Sequence, residues 1–320
     1  MKIVYFAGKG RSGTTLLDNV LGQVDDFVSI GELTKLWTWG LKEGWKCGCG
    51  RAVPECPFWA EVMGAAFGPG RPPRADEVAS LQERVLNWRR LPRLLRAASR
   101  GTAGWADLEE YVEITTLVYR GVAEVSGARV IVDSSKWPAG PAALGLIPGF
   151  DVYLLHVVRD PRAVTNSWKR TKAWTDRDLG ETMPTYGVPY SMASYWVRNV
   201  VAEYLASRPD ARSMRLRYED FSAAPGHQLE SIFRFLGEKL PADLLSDDAV
   251  VELVATHSAG GNPNRLDAGR VKIRPDDRWR SELSLFDKSL ATALGLPFLL
   301  RYRYPVVPAR RTDHSITGPT

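Results

Sequence analysis

Long apolar runs are missing from this 320-residue sequence, and no segment of it could span a bilayer. A strand-like run already begins at Ile3, which leaves no room for a secretory leader, so the expectation is a soluble, cytoplasmic protein. Cysteine is scarce. Its three copies, Cys47, Cys49 and Cys56, share one short stretch, and an odd number in a reducing compartment argues against a disulfide scaffold. A basic stripe is missing too: the net charge of +5 comes largely from arginines scattered among acidic residues, and no nucleic-acid-binding motif occurs. Arginine-rich charge of this kind favours planar, bidentate anions such as phosphates and sulfates rather than nucleic acid. Internal repeats and a disorder-like composition are also absent. With 44% apolar residues the chain can build one large α/β domain or two smaller ones.

What is present begins with Met1 to Glu32. Lys2 to Ala7 is a short apolar, β-branched and aromatic run of buried-strand character. Gly8-Lys-Gly-Arg-Ser-Gly-Thr-Thr15 follows directly, and Leu17, Val20 and Leu21 then share one helical face. In a strand, loop and helix of this kind, consecutive backbone N–H groups converge and the positive helix end adds to them, so a phosphate or sulfate is held. The spacing from Gly8 to Gly13 fits the first half of a nucleotide-kinase loop, but Thr14-Thr15 stands where that loop has Lys-Ser or Lys-Thr. The missing lysine weakens an ATP reading and leaves Arg11 nearest the anion. Asp25 to Ile30 leads into a second strand ending at Gly31-Glu32. Ligands in open α/β sheets bind outside the carboxyl ends of strands, within reach of Glu32, although a glutamate here would also suit an exposed helix cap.

Residues 33 to 59 are rich in tryptophan and glycine around the three cysteines. A zinc site would need a fourth ligand, and Cys-x-Cys-x6-Cys with no neighbouring histidine is not a standard finger. A Cys47–Cys56 or Cys49–Cys56 bridge and reduced packing thiols are the other readings. The tryptophans either wall an acceptor pocket or fill a core. Residues 69 to 75 read as a loop, Asp76 to Ala98 as a helix interrupted at Pro92, and Trp105 to Val125 as a second helix, together an insertion over the sheet. Further strands are expected at Arg129 to Asp133, Val152 to Val158 and Ser213 to Tyr218, and Lys136 leaves the first of these toward the crevice of the loop. Lys169 to Tyr195, polar and aromatic with weak periodicity, reads as a mobile lid. Ser194 to Leu205, Pro225 to Leu236 and Ala242 to Val254 read as helices. A basic, glycine-bearing loop over His257 to Arg280 contributes Asn262 and Arg265 as candidate cofactor contacts, and residues 305 to 320 read as a disordered tail.

Arg159-Asp-Pro-Arg162 ends the Val152 to Val158 strand, and Pro161 suits the first turn of a helix carrying Ser167. An arginine at a strand end with a helix hydroxyl makes a second anion site. Two separated anion sites at strand ends suit a nucleotide with phosphates at its 5′ and 3′ positions.

Arg11-Ser-Gly-Thr-Thr-Leu16, Val158-Arg-Asp-Pro-Arg162 with Ser167, and Tyr218-Glu-Asp-Phe221 resemble the signature of sulfotransferases that use 3′-phosphoadenosine 5′-phosphosulfate, PAPS. The likeness runs as ordered motifs to about residue 280 and is weak over 40 to 125. It implies an α/β, P-loop-like three-layer fold with a central parallel sheet and helical insertions, one domain over 1–304 with an insertion at about 33–128 and a lid at 170–195. It implies that Arg11, Ser12, Gly13, Thr14 and Thr15 form the 5′-phosphosulfate loop, in the arginine-bearing branch rather than the lysine-bearing cytosolic one. Arg159 and Ser167 match the 3′-phosphate pair, and Tyr218 resembles a further cofactor-contacting tyrosine. Glu32 stands at the distance from the loop arginine that the catalytic glutamate has in tyrosylprotein sulfotransferases, and Lys136 resembles the strand-end lysine that contacts the sulfonate. The cytosolic branch uses a histidine base, but no histidine here has that context. No metal is required. The acceptor is expected to be a small molecule, glycolipid or carbohydrate, attacking through a hydroxyl or, second, an amine. A P-loop kinase using MgATP, with Asp133 at a strand end, and a non-catalytic nucleotide-binding protein are the competing readings.

Overall fold

Side chains along the first strand divide between two cores. β1 (Lys2–Ala7) sends Ile3, Tyr5 and Ala7 to one and Val4 and Phe6 to the other, and all five are buried. A strand covered on both faces needs a near-continuous apolar run, which is what residues 3–7 supply. The computed structural model describes residues 1–68, 72–102, 104–176, 180–246 and 248–307, so part of the expected 69–75 loop and the tail beyond 307 lie outside the described residues.

β1 occupies the centre of a five-stranded sheet with β2 (Phe27–Gly31), β3 (Val130–Asp133), β4 (Asp151–Val158) and β5 (Arg212–Arg217). The order is β2-β3-β1-β4-β5 and every pair is parallel. In chain order the helices named below are α1 (Thr14–Leu21), α2 (Pro57–Phe67), α3 (Ala75–Val85), α4 (Leu91–Arg100), α5 (Ala106–Ser126), α6 (Gly140–Leu144), α7 (Pro161–Lys169), α8 (Val188–Ala206), α9 (Tyr218–Ala223) and α10 (Pro225–Leu236). Leu17, Val20 and Leu21 of α1 and Leu229, Ile232 and Phe233 of α10 cover one face of the sheet. Residues of α2 to α6 and α8 cover the other. The result is the expected three-layer α/β fold with a central parallel sheet and helical insertions. No described helix is long and apolar enough to cross a membrane.

Three boundaries differ from expectation. The helix expected over 242–254 is not found among the described residues: Val250–Leu253 forms β6, which pairs antiparallel with β7 (Gly269–Lys272). Val251 and Leu253 turn inward while Glu252 is exposed, a period of two that high apolar content disguised. α8 begins at Val188, ahead of the expected Ser194, because Pro189 suits a first turn and so opens the helix instead of belonging to the lid. Pro92 likewise opens α4 after a short 3₁₀ turn at Trp88–Arg90. At the chain's far end, buried Arg162 donates to the carbonyls of Pro305 and Val306, which ties the start of the expected tail to α7.

Candidate active site

The loop between β1 and α1 owes its curvature to two left-handed residues, Arg11 at φ 73° and Gly13 at φ 84°. Such a turn points successive N–H groups at one concavity. A Cβ on Gly13 would lie 2.2 Å from the ring of Tyr218, so only glycine lets that ring close on the loop. The Arg11 guanidinium sits 4.8 Å from the Trp168 ring centre and touches the Met183 sulfur. Burial draws its pKa down, and the Glu32 charge opposes this. Ser12 is buried, and its hydroxyl has no hydrogen-bond partner among the described residues. Behind the loop, Lys9 donates to Ser194 Oγ, and burial, with Arg198 and Arg11, pushes it down to about 7.

β2 reaches its end through an irregularity in register between Ser29 and Gly31, and Gly31 stands at φ 66°. A Cβ there would come within 2.6 Å of Ser258 and 2.9 Å of the Gly260 carbonyl. Glycine thus lets the 258–260 segment lie across the strand end, where Glu32 donates its N–H to Gly260 O at 3.0 Å. Glu32 Oε1 is 2.9 Å from Lys136 Nζ, both side chains being largely buried. Lys136 has φ 55°, its Nζ donates to Ser134 O, and its backbone carbonyl accepts from Arg198 Nη1. Beneath the pair, Asp18 accepts from Ser29 Oγ and Ser134 Oγ, and burial pushes its carboxyl up to about 7. Asp133 bonds to the Tyr119 hydroxyl and the Ser135 N–H and faces a separate small cavity, not this one.

At the end of β4, Arg159 lies 4.4 Å from the Tyr218 ring centre and donates to the Arg11 carbonyl, so the second cation is fastened to the first loop. Asp276 pairs with it at 3.2 Å and is held by Arg278 through two bonds of 2.7 and 2.8 Å. That bidentate contact, with Arg159 second, holds the Asp276 carboxyl well below the usual range. The Nε of Arg159 is buried without a partner among the described residues. Asp160 caps α7 by accepting from Arg162 N, which sets the helix that carries Ser167.

One cavity of about 430 Å³ is lined by Arg11, Gly13, Thr14, Thr15, Glu32, Lys136, Arg159, Ser167, Tyr218 and Asn262. Two candidates lie outside that lining. Ser12 is buried behind the loop, and Arg265 is committed elsewhere, bonded to Asp176 at 3.1 Å and to the carbonyls of Lys46 and Ser258. Arg265 therefore stands as a brace in the wall. The sequence reading missed Lys172, Asp276 and Arg278, which line the cavity from segments without a periodic signature. Lys172, pushed down to about 8 by burial and then by Arg11, bonds to Asn262 Oδ1 and Asn264 Oδ1.

The tryptophans divide between the wall of this cavity and the core. Trp39 and Trp174 line the cavity with Met183, and Trp45 stacks behind Trp39 at 4.3 Å. Trp37 and Trp59 fill the core. His156 is also a core residue, bonded to Asn199 and pushed down to about 4 by burial, so it offers no base to the cavity.

The sequence profile of the sulfotransferase family matches residues 4–242. No curated protein matches the chain in sequence. Among solved structures it is similar to the sulfotransferase domain of the Synechococcus PCC 7002 olefin synthase, at 17% identity over 93% of this chain and 94% of that one, TM-score 0.48. It is similar also to a sulfotransferase from Alicyclobacillus acidocaldarius, at 14% identity over 93% and 92% of the two chains, TM-score 0.42. With the family profile spanning well over half its length, the chain belongs to the sulfotransferase family.

Proposed function

We propose that the chain transfers the sulfonate of PAPS to a hydroxyl, or second an amine, of a small molecule, glycolipid or carbohydrate. The observation that carries this reading is one cavity in which the Glu32–Lys136 pair shares walls with two cationic sites, the Arg11 loop and Arg159 with Ser167. The residues fit such a donor. A Cβ on Gly13 would keep the Tyr218 ring from closing on the loop, and Ser12 Oγ and Arg159 Nε are buried polar atoms without partners among the described residues. Bound there, PAPS supplies an activated sulfonate on a phosphate leaving group, and the reading requires no metal.

The residues then take distinct roles. The Arg11 to Thr15 loop holds the 5′ side; Arg159, Ser167 and Tyr218 hold the 3′-phosphate, with Asp276 orienting Arg159 and Arg278 together. Glu32 takes the acceptor proton on a carboxylate oxygen as general base. Lys136, ion-paired with it, fixes the carboxylate and with Arg11 stabilises charge growing on sulfonate oxygens. Trp39, Trp174 and Met183 offer an apolar, aromatic wall suited to a ring-bearing acceptor. The kinase reading is disfavoured by Thr14 at the lysine position and by the commitment of Asp133 to Tyr119 and Ser135.

Titration calorimetry with adenosine 3′,5′-bisphosphate in the presence of a chelator tests the donor assignment. Binding without Mg²⁺ is expected, and binding of MgATP alone would overturn the reading. Turnover of labelled PAPS with a panel of acceptors then tests the reaction.

A further inference from the structure

Away from the cavity floor, three thiols and one imidazole meet at a point. Cys47 and Cys49 lie in the turn after the π-helical segment Leu36–Lys42, Cys56 stands at the N-cap of α2, and His257 arrives from the segment after β6, 201 residues beyond Cys56. Cys56 Sγ is 3.4 Å and Cys47 Sγ 3.9 Å from His257 Nδ1, and Cys49 Sγ is 3.6 Å from Cys56 Sγ. All four donor atoms lie within 4.8 Å of one another. Of the three readings, neither the Cys47–Cys56 nor the Cys49–Cys56 bridge is formed: the cysteines are free thiols, and a disulfide requires about 2.05 Å between sulfurs. A tetrahedral zinc ion with Zn–S of about 2.3 Å and Zn–N of about 2.0–2.1 Å separates its ligand atoms by about 3.6–3.8 Å. The distances found here bracket that value.

The surroundings orient each donor. The His257 ring stacks on Phe58 with centres 4.6 Å apart, and its carbonyl accepts from Trp59 Nε1, which aims Nδ1 at the sulfurs. Backbone N–H groups of Cys49, Arg51 and Trp59 point at the sulfurs of Cys47, Cys49 and Cys56 in turn, the outer contacts that favour thiolate ligands. Gly48, between two of the cysteines, donates to Ser258 O, and a Cβ there would lie 2.4 Å from Thr256 O. Packing thiols alone would not require an imidazole nitrogen from so distant a segment to face all three.

We propose that Cys47, Cys49, Cys56 and His257 through Nδ1 hold one structural zinc ion in a closed Cys₃His site. Each thiol gives up its proton on binding. The ion fastens the 256–261 segment, whose Gly260 carbonyl accepts from the Glu32 N–H, to the tryptophan-bearing wall. This assignment stands independently of the sulfonate-transfer reading.

The test uses the full-length chain, freed of any histidine tag and purified from zinc-supplied cells. Elemental analysis is expected to give one zinc per chain. Cobalt in its place is expected to show a thiolate-to-metal charge-transfer band, and the three thiols to react with a thiol reagent only after chelation. His257→Cys is expected to keep the metal. His257→Phe, which retains the stack on Phe58, and Cys49→Ser are expected to lose it. Wild-type protein with far less than one zinc and either three freely reactive thiols or a disulfide would overturn the site, and full zinc content in His257→Phe would overturn the ligand set. Should a variant not fold, wild-type stoichiometry and the cobalt spectrum decide alone.

Discussion

The cavity has two sides made in different ways. On the sheet side, Arg11, Glu32, Lys136 and Arg159 each sit within a few residues of a parallel strand's carboxyl end, and the strand positions them directly. On the opposite wall, Trp39 comes from the π-helical segment Leu36–Lys42 and Lys172, Trp174 and Asn262 from irregular segments, joined by polar cross-links, among them Arg265 with Asp176 and Lys172 with Asn262. Two buried arginines mark the contrast. Each is held by one aspartate and two carbonyls and keeps an Nε without a partner among the described residues, but Arg159 lines the cavity and Arg265 lies outside its lining. Neither residue type nor partners separate the two arginines; their place relative to the cavity does.

The comparison breaks first at Glu32. Glu32→Gln keeps the shape of the side chain and removes its basicity, so kcat is expected to fall about 10²- to 10⁴-fold with bisphosphate affinity little changed. Unaltered turnover would remove the base from the sheet side. Arg265→Ala is expected to act on stability instead. Its guanidinium and the Asp176 carboxylate are almost wholly enclosed, and breaking such a pair costs about 3–5 kcal/mol, read from denaturant unfolding. A loss of bisphosphate binding in the folded variant, with stability intact, would reverse the roles assigned to the two arginines.

Beneath the Glu32–Lys136 pair the sheet side carries its own pH dependence. Asp18, raised to about 7 by burial, binds more protons folded than unfolded between pH about 4 and about 7. Stability contributed by the protonated carboxyl is therefore present at the acid end and lost as pH rises through 7. Relative to wild type, Asp18→Asn is expected to gain up to about 4 kcal/mol across that window, and a flat difference would show that Asp18 is ionised throughout. Arg159→Ala comes next: bisphosphate binding is expected to weaken about a hundredfold, or about 2.7 kcal/mol, with the melting temperature of the unliganded protein changed far less.

What could be read from the sequence follows the same division. β1, its loop and α1 are contiguous, so a pattern in order along the chain already held the geometry of Arg11 to Thr15. Pro225 to Leu236 was legible to the residue because proline at one end and Gly237 at the other mark a helix. β6 was misread because Val251 and Leu253 alternate over only four residues, too short a run to separate period two from a helical face. Arg265, Asp276 and His257 were illegible for a different reason. Their roles depend on partners distant in sequence, Asp176, Arg159 and the three cysteines, and spacing along one segment carries no trace of such pairings.

The smallest effect probes the wall by itself. Trp174 lines the cavity, with its ring edge-on to Trp39 at 5.6 Å and to Trp45 at 4.8 Å. Under the proposed reading it touches the acceptor and stays clear of the anion sites. Trp174→Ala removes an aromatic face worth about 0.5–1.5 kcal/mol beyond its buried area. The expected outcome is a rise of about tenfold in KM for a ring-bearing acceptor, with kcat and bisphosphate affinity nearly unchanged. Equal losses with ring-bearing and linear acceptors would mean that Trp174 supports the wall without contacting the substrate, and would leave Trp39 as the aromatic surface the acceptor meets.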